Sequence, residues 1–240
     1  MNDTSNSVAR RVHEDKVVLY VVKSTPTSGA NVVKVLILIE SLNIPHHIEV
    51  VASTKTDPSF HKISPTRMVP ALESIETQNG KKLNVFESSS CLEFLVDKYD
   101  LDGAFGGKTL WERTQIRNWL MMHTSGLGAT AKLWLTLKRL PHGLDGGKSM
   151  EPAITFLTDA LETQYTILDS RLSEATQSFI ALPDRPTIAD FATLPFANSE
   201  VAAMAGIDLI FWPNLKSWGD RMCQLPAVAV AMKRVTEFGA

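Results

Sequence analysis

Hydrophobic residues follow two different rhythms along this chain, and the change falls near residue 105. Before it, short apolar runs alternate with turn residues. Val17–Val22 reads as a buried strand, closed by the dense loop signal Ser24-Thr25-Pro26-Thr27-Ser28-Gly29. The segment from Val32 to Leu42 pulls two ways. Its Val and Ile content suits a strand, whereas its length and the capping candidates Ser28 and Asn31 suit a helix. Residues 46–51 form a second strand. Residues 71–75 and 83–86 flank Gln78-Asn79-Gly80-Lys81, and Asn-Gly is a strong hairpin signal. Residues 89–99 are amphipathic at helical spacing.

Past Gly103-Ala104-Phe105-Gly106-Gly107 the period is helical throughout, predicting helices over 109–138, 149–173, 187–205, 213–223 and 226–236. Gly126 and Gly128 interrupt the first of these and predict a bend or close packing. Thr187-Ile188-Ala189-Asp190, preceded by Pro186, has the form of a capping box with Asp in place of Glu, a feature of folding rather than chemistry. The expected organisation is a flexible tail over 1–15, a thioredoxin-like α/β domain over 16–102, a linker over 103–108 and an all-α domain over 109–240.

Composition narrows the picture without choosing a function. An apolar fraction of 44% with a formal charge of −2 describes a globular chain with ample core. Lys and Arg are scattered, so no nucleic-acid footprint is expected. Apolar runs such as Val35–Ile39 are far short of a membrane span, and residues 1–15 lack the apolar core of a signal peptide. Two cysteines suggest a reducing, cytoplasmic setting without a disulfide framework. His46, His47 and His61 lack metal-ligand spacing, so no metal site is expected.

Candidate chemistry gathers at Met68-Val69-Pro70-Ala71-Leu72 and Phe86-Glu87-Ser88-Ser89-Ser90. Proline in a tight turn leaves the residue before it extended, and a cis Val69–Pro70 bond would let Val69 pair its backbone with a peptide ligand. Glu87-Ser88 ends a strand and opens a helix, where free N–H groups attract a carboxylate and the Glu side chain suits an ammonium. The two together make a receptor for a small zwitterionic peptide, with glutathione the obvious candidate.

These segments, with Val17-Val18-Leu19-Tyr20, Asn31-Val32-Val33-Lys34-Val35, Pro65-Thr66-Arg67 and Arg185-Pro186-Thr187-Ile188-Ala189-Asp190, stand in an order and spacing that resembles the glutathione S-transferase family from Lys16 onward. Val22-Lys23-Ser24-Thr25-Pro26-Thr27-Ser28, Phe105-Gly106-Gly107 and Thr130-Ala131-Lys132-Leu133-Trp134-Leu135 look like the filamentous-fungal, gliotoxin-type members of epidithiodiketopiperazine pathways. The resemblance places a helix over Val32–Leu42. It implies a homodimer in which glutathione is the co-substrate, with no further cofactor, and an electrophilic small molecule is the acceptor.

Enzymes of this family hold glutathione as its thiolate, the nucleophilic form. The loop after the first strand contains neither Cys nor Tyr, and Tyr20 lies within the strand. That argues against a thiol reductase and against Tyr-type activation, and leaves Asn31 and Ser28 as candidates at the sulfur or as mere caps. By resemblance, Glu87 and Ser88 bind the γ-glutamyl end, Val69 pairs with the cysteinyl unit and Pro70 shapes the turn. Arg67 and Met68 depart from the usual residues, which leaves the glycine carboxylate to Arg67, to Lys55 or to nothing local. Lys132 would stabilise charge developing on the acceptor, or be a solvated lysine. Met121, Met122, His123, Trp134 and Phe196 could line an apolar pocket or be plain core. Cys91 and Cys223 read as inert buried thiols. A general detoxifying transferase and a non-catalytic regulator are the alternatives.

Overall fold

The structure, a computed structural model, describes residues 16–24, 29–75, 80–140 and 150–239. The tail and the residue Ser28 lie outside the described residues, as does most of the Gln78-Asn79-Gly80 turn. The chain forms two compact units, residues up to 101 together with 226 onward, and residues 102–225.

The first unit is a four-stranded sheet in the order β2-β1-β3-β4, with β1 Val17–Val22, β2 His46–Val51, β3 Ala71–Ile75 and β4 Lys82–Phe86. β1 and β2 run parallel, which requires the crossover helix α1, Ala30–Ser41; β3 is antiparallel to β1 and to β4. The helix α3, Ser88–Tyr99, packs beside α1. This is the expected thioredoxin-like arrangement.

The contested segment is a helix, and its eight residues Val32–Ile39 are all buried. A helix covered on every side has no polar face, so the helical period that would have identified it is missing. One short helix, α2 at Pro58–Ile63, escaped the sequence reading; Asp57 caps it by accepting from the backbone N–H groups of Ser59 at 2.9 Å and Phe60 at 3.3 Å.

The last helix, α10 at Pro226–Val235, packs on α1 and so groups with the first unit, not with the helical residues it follows in sequence. Arg234 pairs with Glu40 and donates to His46 Nε2 at 2.9 Å, while His46 Nδ1 donates to the carbonyl of Ile44 at 2.8 Å. Gly29 lies tight against this helix, since a Cβ there would come within 2.9 Å of Val235.

The second unit is helical: α4 Leu110–Met122, α5 Gly128–Lys138, α6 Glu151–Leu172, α7 Ile188–Thr193, α8 Ser199–Met204 and α9 Pro213–Cys223. The expected helix over 109–138 is continuous but swells into one π turn at His123–Leu127, between α4 and α5. A Cβ at Gly126 would stand 2.6 Å from the Gln164 amide oxygen, so a larger residue there would displace that side chain. The expected helix over 187–205 is broken. Pro195 has no N–H to continue α7, and Asn198 caps α8 by accepting from Val201 at 3.1 Å. The glycine-rich linker is no loose tether: the Phe105 ring packs on Phe191 with centroids 5.3 Å apart, and its carbonyl accepts from Ile188.

The capping box is present and extends into a network. Fully buried Asp190 accepts from Thr187 N–H and Oγ1 (both 2.9 Å), Ile180 N–H (2.8 Å) and Trp218 Nε1 (3.0 Å). Burial raises its pKa, opposed by these four bonds.

Candidate active site

Strand register brings the glutathione-motif residues to one edge of the sheet. Tyr20 of β1 pairs with Ala71 of β3, and Ala71 with Phe86 of β4. Val69-Pro70, Glu87-Ser88, Lys23-Ser24 after β1 and the start of α1 therefore all lie beyond the same strand ends. Two helices, α1 and α3, begin at that edge and point their unpaired N–H groups and positive dipole ends toward it.

The Val69–Pro70 bond is cis. The turn before it is tied to the buried hydroxyl of Ser64, which donates to the carbonyl of Met68 at 2.9 Å, while the Ser64 carbonyl accepts from Arg67 N–H at 2.9 Å. The ladder with β1 ends at Ala71, so Val69 lies outside it. Arg67 is exposed with φ 57°, and Lys55 is exposed in the loop after β2.

Glu87 joins β4 to α3 with φ 70° and ψ 129°, a sparsely populated positive-φ conformation that costs a residue with a Cβ about 1–3 kcal/mol. Its side chain makes no capping bond to the helix, and it is exposed. Glu87 thus occupies the cap position of α3 without capping it through its side chain. Asn31 is not a cap either. The cap position of α1 is Gly29, and Asn31 sits inside the first turn. Its Oδ1 accepts from the Ser88 hydroxyl at 3.5 Å, and Ser88 Oγ accepts from Lys34 Nζ at 3.5 Å.

Lys34 is the residue that sequence reasoning missed as part of the site. It is 2% exposed on α1, and burial pulls its pKa down to about 7, with Glu87 acting in the opposite sense. A signal was available: a lysine in the middle of an otherwise unbroken apolar run, Val32 to Ile39, must either bury its amine or break the helix face.

Tyr20 is half-buried against Phe60 of α2, with ring centroids 5.8 Å apart. Burial raises its pKa, with Glu73 and Glu49 adding to the effect, the opposite of what an activating phenol needs. Cys91 is buried and its thiol pKa is pushed far up by burial and then by Glu87. Cys223 corrects the expectation, for it is exposed: α9 turns Leu215, Trp218 and Met222 inward, and Cys223 follows them outward. Burial and then Asp220 and Glu200 still raise its thiol pKa. A Cys91→Ser, Cys223→Ser variant should keep the parent turnover. A folded variant without turnover would restore a cysteine mechanism.

In the second unit Lys132 is exposed on α5. His123 is buried against Phe196 with centroids 5.3 Å apart, and Trp134 donates to Thr158 Oγ1 at 3.0 Å, so these are packed core groups. Met121 is exposed and Met122 half-buried. Among the described residues no three His, Cys, Asp or Glu side chains form a metal-like group, and no helix is long and apolar enough to cross a membrane.

A thioredoxin-like sheet with a cis-proline turn and an acidic strand-to-helix turn at one edge defines a glutathione-binding class, and comparison with known proteins gives the family. Residues 30–98 match the family model "Glutathione S-transferase, N-terminal domain". The chain is 50% identical over 223 residues to glutathione S-transferase sirG of Leptosphaeria maculans, covering 93% of each chain. It is 34% identical over 216 residues to the trimodular acetylaranotin synthesis protein ataIMG of Aspergillus terreus, covering 90% of this chain and 21% of that longer one. Among solved structures, the transferase URE2P6 of Phanerochaete chrysosporium in complex with oxidized glutathione superposes with a TM-score of 0.78 at 24% identity, covering 94% and 98% of the two chains. The chain belongs to the glutathione S-transferase family.

Proposed function

We propose that this glutathione transferase adds the thiolate of glutathione to an electrophilic ring carbon of an oxidised diketopiperazine, forming a C–S bond in the biosynthesis of a fungal toxin. The observation that carries the glutathione half is the meeting of Val69, Glu87, Ser88 and Asn31 at one edge of the sheet, where two helices start. Glu87 takes the γ-glutamyl ammonium, and Ser88 with the start of α3 takes its carboxylate. Val69 pairs with the cysteinyl backbone across the turn that Pro70 shapes, and exposed Arg67 or Lys55 meets the glycine carboxylate. Asn31, with Ser28, donates to the sulfur, and Lys132 stabilises charge developing on the acceptor. The protein works in the cytoplasm as a homodimer.

The diketopiperazine half rests on the gliotoxin-type segments around Ser24, Phe105 and Lys132, and on a relative named for acetylaranotin synthesis. Turnover of oxidised diketopiperazines in preference to simple aromatic electrophiles supports it; the reverse preference favours a detoxifying enzyme.

Glu87→Ala should weaken glutathione binding by about 1.5–3 kcal/mol, the range for a hydrogen bond to a charged group. Isothermal titration with an unchanged dissociation constant would remove Glu87 from the site.

A further inference from the structure

We infer that Lys34 is a positioning residue, whose buried amine fixes the direction of the hydrogen bonds through Ser88 so that Asn31 presents its amide N–H₂, and not its oxygen, to the glutathione sulfur. The inference rests on the reading of Asn31 as the sulfur donor. It goes beyond that reading by explaining which end of the Asn31 amide faces the ligand.

The amide of Asn31 has two faces of opposite sign. Its oxygen only accepts and its nitrogen only donates. A thiolate is stabilised by the nitrogen and repelled by the oxygen, so catalysis depends on which way the amide is turned. Ser88 lies next to it with a hydroxyl that can donate one proton and accept in return. An ammonium has donors and no acceptor, so Lys34 at 3.5 Å obliges Ser88 Oγ to accept. The single Ser88 proton is then left for Asn31 Oδ1, also at 3.5 Å. With its oxygen held, Asn31 has only donors left to offer elsewhere. Replace the amine with an alkyl group and Ser88 becomes free to accept from Asn31 Nδ2, which would turn the oxygen outward.

The setting of Lys34 fits this role better than a structural one. Its neighbours on α1, Val32, Val33, Val35 and Leu36, are as buried as it is. An unbranched apolar side chain would fill that space without the cost of burying a charge. Burial pulls the amine down to about 7, opposed by Glu87, so a negative charge arriving nearby favours its protonated form. Thiolate and ammonium then support one another through Ser88 and Asn31.

The test compares four proteins: the parent, Lys34→Met, Asn31→Ala and the double variant. Each is followed by ultraviolet titration of the bound thiol and by kcat at saturating glutathione. Lys34→Met should raise the bound thiol's pKa by about one, the equivalent of a tenfold shift in the thiol–thiolate balance. It should lower kcat by roughly tenfold or more, short of the loss of a direct oxyanion-type donor. In the Asn31→Ala background the same change should do almost nothing further, because the group through which Lys34 acts is gone. Ser88→Ala breaks the chain without altering the buried amine, so it must raise the thiol pKa too, even if Lys34→Met folds poorly. An unchanged thiol pKa in Lys34→Met, or a loss that multiplies with that of Asn31→Ala, would overturn the inference while leaving Asn31 in place. If Asn31→Ala itself leaves the thiol pKa unchanged, both the donor assignment and the Lys34 inference fall.

Discussion

Asn31→Ala should lower kcat by about 10- to 1,000-fold while glutathione affinity stays nearly intact, the pattern expected when one oxyanion-type donor is lost. An amide is no base at neutral pH, so Asn31 can only donate to a sulfur that has already lost its proton. Removing the donor therefore raises the pKa of the bound thiol and shrinks the reactive fraction. Most of the proposed binding contacts lie elsewhere, at Glu87, Ser88 and the Val69 backbone, which is why affinity should survive. Asn31 sits inside the first turn of α1, whose cap position is Gly29, so loss of a helix cap cannot account for the effect. Titration of the bound thiol beside steady-state kinetics decides the matter. Unchanged thiol pKa and turnover would move attention to Ser28 and Ser24.

Asp190→Ala should cost the helical unit at least about 3 kcal/mol, with each buried donor left unpaired contributing about 1–3 kcal/mol. The carboxylate holds three elements at once: the start of α7 through Thr187, the segment at Ile180 and α9 through Trp218. Both Trp218 and Thr187 are completely buried, so water cannot replace what is lost. Urea denaturation followed by circular dichroism measures the loss, and a change below about 1 kcal/mol would show that the network adds little. An intact transferase site in the surviving folded fraction would separate this residue from the chemistry.

How much of this was readable beforehand depends on what each residue faces. β1 was legible because Val17–Val22 is a short apolar run closed by turn residues, and the hairpin strands because Asn79-Gly80 stands between them. The helix α1 was not legible by period, since burial of every residue from Val32 to Ile39 removed its polar face, and only the family resemblance identified it. The helix α2 is under two turns long and leaves only Asp57-Pro58 as its trace. Pro195 stood in plain view, yet the apolar pattern runs through it, so the break between α7 and α8 was overlooked. Glu87, Ser88, Val69 and Pro70 were found because their residue types and spacing carry the chemistry themselves. Lys34 was passed over because an isolated lysine on a helix usually points into water; here its partners come from a turn 54 positions away.

The grouping of α10 with the first unit has a consequence for how the protein is made. A ribosome delivers the sheet strands and α1 first, then the whole of 102–225, and only afterwards the helix that covers α1. The Arg234–Glu40 pair joins residues 194 positions apart in sequence. While synthesis proceeds, the apolar surface of α1 that α10 will cover must therefore wait exposed, the kind of surface that nascent-chain chaperones hold and that aggregates when they do not. The helical unit, complete before α10 emerges, can fold as a body of its own. The glutathione-binding half, although first in sequence, is the last to be finished.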